Sequence, residues 1–169
     1  MNNAAFPDVR WGHERLWVNK FAAAFMSSRP GSWVVRKLVP ADRKLLEQSR
    51  GRYTVLGPAG VPLLLLKTIG RKSGEWRTSP LICMRESDRL FIVGSNFGSS
   101  RHPAWSSNLL ANPEALVVIG GAEIPVVAIE LKGVERERAF QKFVGYTRAY
   151  EAYTGRTDRE LRVFALTRR

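Results

Sequence analysis

The stretch from residue 61 to residue 84, VPLLLLKTIGRKSGEWRTSPLICM, has the clearest strand pattern in the sequence. It begins with an apolar run over residues 61–67, continues through a loop rich in glycine and cations, and ends in a second extended segment over residues 78–84. Short apolar runs bounded by turn residues indicate β-strands, and a short loop between two of them indicates a hairpin. The stretch therefore predicts two consecutive antiparallel strands.

Further short strands follow this hairpin. The pattern predicts strands over residues 90–95, 115–119, 124–129 and 161–166, and helices over residues 103–111 and 135–144. The glycine pair at 120 and 121 indicates a tight hairpin turn, because glycine adopts positive φ without strain. Six or so short strands with brief helical interruptions predict a small closed or partly closed barrel.

The N-terminal part has a helical pattern. Trp17, Phe21, Ala24 and Phe25 recur at helical spacings of three or four residues and predict an amphipathic, basic helix over residues 11–27. Two interpretations stay open for this helix: it packs on the domain, or it makes peripheral contact with an anionic membrane.

Prolines interrupt the pattern after this helix. Pro30 and Gly31 are expected to end it, and Pro40 is expected to end a short continuation. Residues 41–49 then add one or two helical turns.

Length and composition fit a single globular domain. The chain has 169 residues, of which 44% are hydrophobic and 25% charged, values that are typical of a folded protein. We expect a barrel domain over residues 51–169 that carries a helical extension over residues 1–50. A single cysteine, Cys83, excludes an internal disulfide. Because no leader-like segment opens the chain and no apolar run nears the ~20 residues of a membrane span, we expect a cytoplasmic protein.

Positive charge is concentrated in the first half of the chain. The formal net charge is +12, and residues 1–80 hold 14 basic against 5 acidic side chains. Such a field attracts polyanions, which include nucleic acid, anionic lipid and phosphorylated cofactors. No nucleic-acid partner is expected, because neither a basic recognition helix nor an RNA-binding aromatic motif is present. If the helix over residues 11–27 binds lipid, the protein is peripheral on the inner face of the cell membrane.

Two familiar kinds of catalytic site are missing from the sequence. His13, His102 and Cys83 are scattered without the spacing of metal ligands, so no metal is expected. Serines lie near His102, but no GxSxG elbow accompanies them. The chemistry is therefore expected in three segments that combine glycine, hydroxyl, cationic and aromatic residues.

The first segment is the strand-to-strand loop KTIGRKSGEWR, residues 67–77. Its glycines allow backbone N–H groups to converge on an anion, and Arg71, Lys72 and Arg77 supply charge-assisted hydrogen bonds. It lacks the glycine spacing of a Walker A loop. Anion binding and a solvated hairpin turn are the two alternatives.

The second and third segments carry the aromatic residues. Residues 95–105, SNFGSSRHPAW, leave a strand and enter a helix, so unpaired helix N–H groups and hydroxyls face one place. Trp105 either packs in the core or contacts a flat ring. Tyr146, Tyr150 and Tyr153 have helical spacing and are expected to share a face, either buried or placed over a substrate carbonyl. The pattern from 157 to 160, TDRE, is that of a structural capping box.

Together these segments resemble the deazaflavin-dependent nitroreductase family of actinobacteria and the related F420H(2)-dependent quinone reductases. The matching text is LLLKTIGRKSGEWRTSPL, SNFGSSRHPAWSSNLLANP and YEAYTGRTDRE, within roughly residues 50–169. The resemblance implies an α+β fold, mainly β: a split β-barrel like that of FMN-binding proteins. It also implies reduced coenzyme F420, an 8-hydroxy-5-deazaflavin with a phosphate and an oligoglutamate tail, as the cofactor, with FMN as the lesser alternative.

The resemblance also implies the site residues. Arg71, Lys72, Ser73 and Gly74 would hold the phosphate, and nearby cations would hold the glutamate carboxylates. The implied catalytic residues are Ser95, Tyr150 and Tyr153. The implied cofactor-binding residues are Leu65, Leu66, Lys67, Arg71, Lys72, Ser73, Gly74, Glu75, Trp76, Arg77, Val93, Gly94, Ser95, Asn96, Ala104, Trp105, Asn108 and Tyr150.

The implied reaction is hydride transfer from the reduced deazaflavin to a quinone, an activated alkene or a nitroaromatic compound. Three positions depart from the family pattern and bear on this acceptor: Asn96 replaces a frequent lysine, and Ile82 and Thr147 each replace a tyrosine. The alternatives are a non-catalytic deazaflavin carrier, a polyanion-binding barrel and an FMN-dependent reductase on the same fold. The oligomeric state is open between monomer and homodimer.

Overall fold

Six antiparallel strands form a closed barrel. The computed structural model describes residues 6–7, 28–50, 52–54 and 62–169. The strands are β1 (Leu63–Ile69), β2 (Trp76–Glu86), β3 (Arg89–Val93), β4 (Glu114–Ile119), β5 (Ala122–Leu131) and β6 (Val163–Arg168). Their order around the barrel is β1-β2-β3-β6-β5-β4, and β4 pairs again with β1. The predicted small barrel is confirmed, and every predicted strand boundary lies within two residues of the observed one.

The two faces of β1 are buried in different places. Leu64 and Leu66 belong to the core inside the barrel. Leu65 lies outside, in a small cluster with Leu46 and Val118. Leu46 comes from helix α1 (Arg29–Gln48), which packs on the outer face of β1 and β2. Because both faces of β1 are covered, its sequence is a continuous apolar run instead of an alternating one.

Side chains from outside the sheet close the two ends of the barrel. At one end helix α2 (Ala104–Ala111) inserts Trp105, whose ring meets Phe164 edge to face with centroids 5.7 Å apart. At the other end Phe6 is 1% exposed in the same core, and the Arg168 guanidinium lies 5.1 Å from its ring centroid. The inside of the barrel is therefore filled by side chains, as in other small barrels.

A second apolar cluster lies outside the barrel, where helices α3 (Gly133–Tyr146) and α4 (Ala149–Thr154) cover β3 and β6. Phe140 and Phe143 of α3 pack there with Phe91 and Ala165, which are the outward residues of their strands. None of the helices in the described ranges is long and apolar enough to cross a bilayer.

Helix α1 is one continuous helix of 20 residues, so the predicted pair of short helices was wrong. Ser28 is its N-cap, and the Ser28 hydroxyl accepts a hydrogen bond of 3.0 Å from the Gly31 N–H. Pro30 lies in the first turn, where its missing N–H has no helical partner to lose, so it begins a helix. Pro40 lies inside α1, where it removes one helical hydrogen bond without ending the helix. The predicted helix over residues 11–27 lies outside the described residues.

The capping-box prediction for residues 157–160 was also wrong, because no helix follows them. The Thr157 hydroxyl accepts a local hydrogen bond from the Arg159 N–H at 3.4 Å, and Glu160 forms an ion pair with Arg136. The segment instead forms part of the connection from α4 to β6.

We expect Phe6→Ala to lower the free energy of unfolding by about 3–5 kcal/mol, because the substitution leaves a cavity at the end of the core. Val134 is 87% exposed on α3, so Val134→Ala is the matched control and should change stability by less than about 0.5 kcal/mol. Urea unfolding followed by circular dichroism measures both variants. Equal stability of the two would show that Phe6 does not fill the barrel end.

Candidate functional site

The three segments singled out in the sequence lie side by side at one end of the barrel. We call residues 70–77 the cationic loop, residues 94–103 the strand-end loop, and α4 the tyrosine helix. Asn108 of α2 accepts a hydrogen bond of 3.1 Å from the Arg71 N–H and donates one of 3.0 Å to the Thr68 hydroxyl, so α2 is tied to the cationic loop. The rings of Phe97 and Tyr153 meet edge to face at 6.0 Å, so the strand-end loop contacts the tyrosine helix.

The cationic loop is a tight turn held by its own backbone. The N–H of Gly70 donates to the Glu75 carbonyl and the N–H of Gly74 to the Gly70 carbonyl, both at 2.8 Å. A Cβ at position 70 would lie 2.6 Å from the Ser73 hydroxyl oxygen and 3.3 Å from the Glu75 carbonyl oxygen, so a side chain there would displace the Ser73 hydroxyl. Gly74 has φ +69 and has open space where a Cβ would project. The loop therefore exposes its backbone as well as its side chains.

The cations of this loop differ in their partners. Arg77 forms an ion pair of 2.7 Å with Glu75, and Lys67 on β1 pairs with Glu123. Within the described part of the chain, Arg71 and Lys72 form no ion pair, and both are exposed. Two cations next to exposed backbone N–H groups are therefore available to an external anion.

An open cleft of about 890 Å³ begins beside the cationic loop, on the outer face of the barrel. Its floor consists of outward residues of β1, β2 and β4, and Trp76, which is 53% exposed, stands on one wall. Glu47 and Arg50, from the end of α1, form another wall. The lining residues are Glu47, Arg50, Leu65, Lys67, Trp76, Thr78, Leu116, Val118, Gly121 and Glu123. The cleft therefore includes Leu65, Lys67 and Trp76 from the implied cofactor-binding set.

Besides Leu65, which is 1% exposed, and Tyr150, four residues of that set have buried side chains. Leu66 and Trp105 lie in the core inside the barrel, and Val93 lies in the outer cluster. The Asn108 side chain is occupied by Thr68 and by the backbone of the cationic loop. Strand alternation explains Leu66, since the residue after an outward one points inward. These four side chains therefore contact other parts of the protein and support the site without facing a ligand.

The tyrosine helix holds two buried phenol rings. Tyr150 is 5% exposed and Tyr153 is 7% exposed, with ring centroids 5.9 Å apart, and Phe143 contacts Tyr150 at 5.1 Å. Burial, and then the neighbouring Tyr153, raise the pKa of Tyr150 well above its ordinary value. Tyr150 is therefore a neutral hydroxyl at physiological pH.

The predicted shared face of three tyrosines was wrong. Tyr146 is the last residue of α3, and the chain leaves the helix at Thr147, whose φ of −153° is extended. Only Tyr150 and Tyr153 are on α4, while Tyr146 is exposed. The regular spacing spans two helices, because the nearest glycine, Gly145, lies inside the last turn of α3 and does not mark the break at Thr147.

The strand-end loop has an unusual backbone. Asn96, Phe97 and Gly98 follow one another with φ of +46°, +55° and +75°, in the left-handed region. A Cβ at Gly98 would lie 2.9 Å from the Tyr153 carbonyl, so this close approach requires glycine. The Asn96 side chain donates to the Arg101 carbonyl at 2.9 Å, which braces the loop internally. For the two residues other than glycine, such conformations cost about 1–3 kcal/mol each and persist only where surrounding contacts hold them.

Arg159 supplies those contacts, and sequence reasoning missed it. Its guanidinium donates hydrogen bonds to the carbonyls of Gly94 at 3.1 Å, Ser95 at 2.7 Å and Ser99 at 2.8 Å. It also lies 3.1 Å from His102 Nδ1, which must accept because arginine only donates. Burial, and then the nearby cations, lower the pKa of His102, which favours the neutral ring that this contact needs. In the sequence, Arg159 stood out only as a member of the TDRE pattern, which did not indicate these contacts.

Helix α1 also reaches the site, which the sequence did not indicate. The Arg36 guanidinium lies 5.3 Å from the ring centroid of Phe97 in the strand-end loop. At its other end, α1 brings Glu47 and Arg50 to the cleft. Within the described ranges, no group of three or more His, Cys, Asp or Glu side chains could hold a metal ion.

Known proteins resemble this chain over most of its length. A family model described as F420H(2)-dependent quinone reductase matches residues 40–168. An F420H(2)-dependent quinone reductase of Mycobacterium tuberculosis is 36% identical over 124 residues, which cover 72% of this chain and 83% of that protein. Its counterpart in Mycobacterium bovis has the same identity and coverage.

Solved structures show the same relationship. The F420-H2 dependent reductase FDR-A superposes with a TM-score of 0.58 at 37% identity, covering 62% of this chain and 93% of that one. A structure described as a domain-swapped dimer superposes with a TM-score of 0.59 at 34% identity, covering 81% of this chain and 98% of that one. The barrel is thus shared with a reductase, and the family pattern runs from inside α1 to the end of β6. On these grounds the chain belongs to the F420H(2)-dependent quinone reductase family.

Proposed function

We propose that the protein binds reduced F420 at the cationic loop and the adjoining cleft and uses it to reduce a quinone. One observation carries this proposal: Arg71 and Lys72, which form no ion pair among the described residues, lie in the same loop as Trp76, which lines an open cleft. Asn108 ties this loop to α2, the helix that follows the strand-end loop with Ser95. A ligand with an anionic tail and a flat ring matches that arrangement. Activated alkenes and nitroaromatic compounds are further acceptors of the same electronic type.

The residues present fit the coenzyme. Its phosphate and glutamate carboxylates require cations and N–H donors. The Arg71 and Lys72 side chains provide the cations, and the N–H groups of Lys72 and Ser73, which have no acceptor among the described residues, provide the donors. Its ring requires an apolar, partly aromatic surface, which Trp76 and the partly exposed Leu116 provide in the cleft. The cleft volume of about 890 Å³ lies in the usual range of sites for molecules of this size.

When bound, reduced F420 supplies a hydride, and one further proton completes the reduction of a quinone to a hydroquinone. The protein positions the two partners and provides hydrogen-bond donors where negative charge develops on the acceptor. Among the described residues, the Ser95 hydroxyl has no protein partner, so it is available as a donor. Tyr150 and Tyr153 form a buried aromatic pair beside the strand-end loop, and their hydroxyls are the other proposed donors.

We expect the wild-type protein to oxidise reduced F420 in the presence of menadione, a soluble quinone, as followed by the absorbance of the coenzyme. Binding of F420 without turnover would identify a carrier. Turnover with reduced FMN but not with reduced F420 would support the FMN alternative. Retention on immobilised nucleic acid with no binding of either coenzyme would indicate a polyanion-binding barrel.

Two substitutions separate coenzyme binding from turnover. Arg71→Ala should weaken F420 binding about tenfold, because it removes a charge-assisted hydrogen bond to the anionic tail. Tyr150→Phe should slow turnover with little loss of coenzyme affinity, because it removes one hydroxyl and keeps the ring. Arg138→Ala is the charge control: Arg138 is an exposed residue of α3 that pairs with Glu86 of β2, and its removal should leave binding and turnover as in the wild type. Fluorescence titration and steady-state kinetics measure the effects, and an equal loss of affinity in the first two variants would contradict these roles.

Residues 11–27 are proposed to make peripheral contact with an anionic membrane surface. We expect the protein to co-sediment with vesicles that contain anionic lipid at low salt and to detach at high salt. Replacing Trp17 and Phe21 by serine should abolish the association. Absence of the wild-type protein from the vesicle pellet at low salt would favour a helix packed on the domain.

A further inference from the structure

Arg159 is the most highly connected side chain at the site. It lies between α4 and β6 and is half-buried, yet it contacts a segment about sixty residues earlier in the chain. Nε, Nη1 and Nη2 all take part in its bonds to the strand-end loop. A planar fork of donors in fixed directions can hold three carbonyl groups at once, whereas the ammonium group of lysine cannot reproduce that geometry. The arrangement therefore depends on the guanidinium and not only on its charge.

Two of the carbonyls belong to the peptide groups on either side of Ser95. The first peptide group joins Gly94 to Ser95, and the second joins Ser95 to Asn96. No peptide bond in the described chain is cis, and in a planar trans peptide the N–H points opposite to the C=O. Because the carbonyls of Gly94 and Ser95 point toward Arg159, the N–H groups of Ser95 and Asn96 point away from it.

These two N–H groups have no protein acceptor among the described residues, and neither has the Ser95 hydroxyl. A positive charge on the carbonyl side of a peptide polarises it and strengthens the N–H as a donor on the other side. Burial lowers the pKa of Arg159, but the ordinary pKa of arginine is so far above neutrality that the guanidinium keeps its charge. The result is a hydroxyl and two polarised N–H donors, fixed in place from behind.

We propose that Arg159 is a positioning residue of the reductase site, acting through Ser95 and the two peptide groups beside it. It fixes these donors so that they can bind a carbonyl oxygen, either of the deazaflavin ring or of the quinone acceptor. Fixed backbone donors of this kind stabilise an oxygen on which negative charge develops. The proposal rests on the proposed function and adds to it the group that holds Ser95.

The test compares Arg159→Lys and Arg159→Ala with Arg162→Lys in the full chain. Arg162 is the matched control because it lies three residues away, pairs with Glu130, and directs its guanidinium at serines of α2. We expect both Arg159 variants to lose about tenfold or more in F420 affinity or in kcat/KM for menadione. Arg162→Lys should match the wild type in both. If the oxygen belongs to the coenzyme, the Kd for F420 rises. If it belongs to the acceptor, kcat falls and KM for menadione rises at an unchanged Kd.

Two measurements separate positioning from a general loss of structure. Millimolar guanidinium should partly restore Arg159→Ala without activating the wild type, because the free ion can occupy the vacated place. In the NMR spectrum, the amide signals of Ser95 and Asn96 should shift on addition of F420 or menadione in the wild type but not in Arg159→Lys. The shifts are measured on the protein without turnover.

Wild-type values of Kd, KM and kcat in Arg159→Lys would overturn the proposal while leaving the reductase function intact. So would a loss that guanidinium does not restore and that matches the fall in folded protein measured by thermal unfolding. Failure of the wild type itself to bind F420 would overturn the proposed function, and the role of Arg159 with it.

Discussion

Hydrogen bonds between β1 and β4 close the barrel, with Leu65 opposite Val118 and Thr68 opposite Ala115. A closed sheet has no free edge, and its inside in a barrel of this size is filled by side chains. A ligand must therefore bind on the outer face or among the loops at an end. The cleft and the three candidate segments occupy those places. Helix α2 connects the core to the candidate site. Its Trp105 fills one end of the barrel, and its Asn108 holds the cationic loop.

The positive charge of the chain divides into a structural part and a binding part. Arg77 and Lys67 each have a carboxylate partner, and the Arg159 guanidinium donates its hydrogen bonds to backbone carbonyls. Arg71 and Lys72 have no such partner in the described ranges and lie where backbone N–H groups are exposed. A net charge of +12 thus overstates the charge that a ligand meets, and the position of the unpaired cations says more about function than the total does.

Local patterns carried most of the fold, because strand alternation and turn residues are properties of adjacent positions. The apolar run of β1 and the cationic loop could be located from the sequence for this reason. The break between α3 and α4 at Thr147 could not, because the helical spacing of the tyrosines continues through it and Gly145 lies inside α3, before the break. The role of Arg159 could not be predicted for a different reason: the carbonyls that it binds are 60 to 65 residues away in sequence. The loop sequences were enough to recognise the family, but the hydrogen bonds from Arg159 that hold the strand-end loop are seen only in the structure.

The place of β6 in the barrel has a consequence for how the chain folds. β6 lies between β3 and β5, although it follows β5 only after the long connection through α3 and α4. Without β6 the other strands make an open sheet in the order β3-β2-β1-β4-β5, whose two outer edges are unpaired. Hairpins form from local contacts, whereas docking of β6 must wait for a large loop to close. In that interval both edges are available to other chains, so the steps before β6 docks are when the protein is most exposed to aggregation.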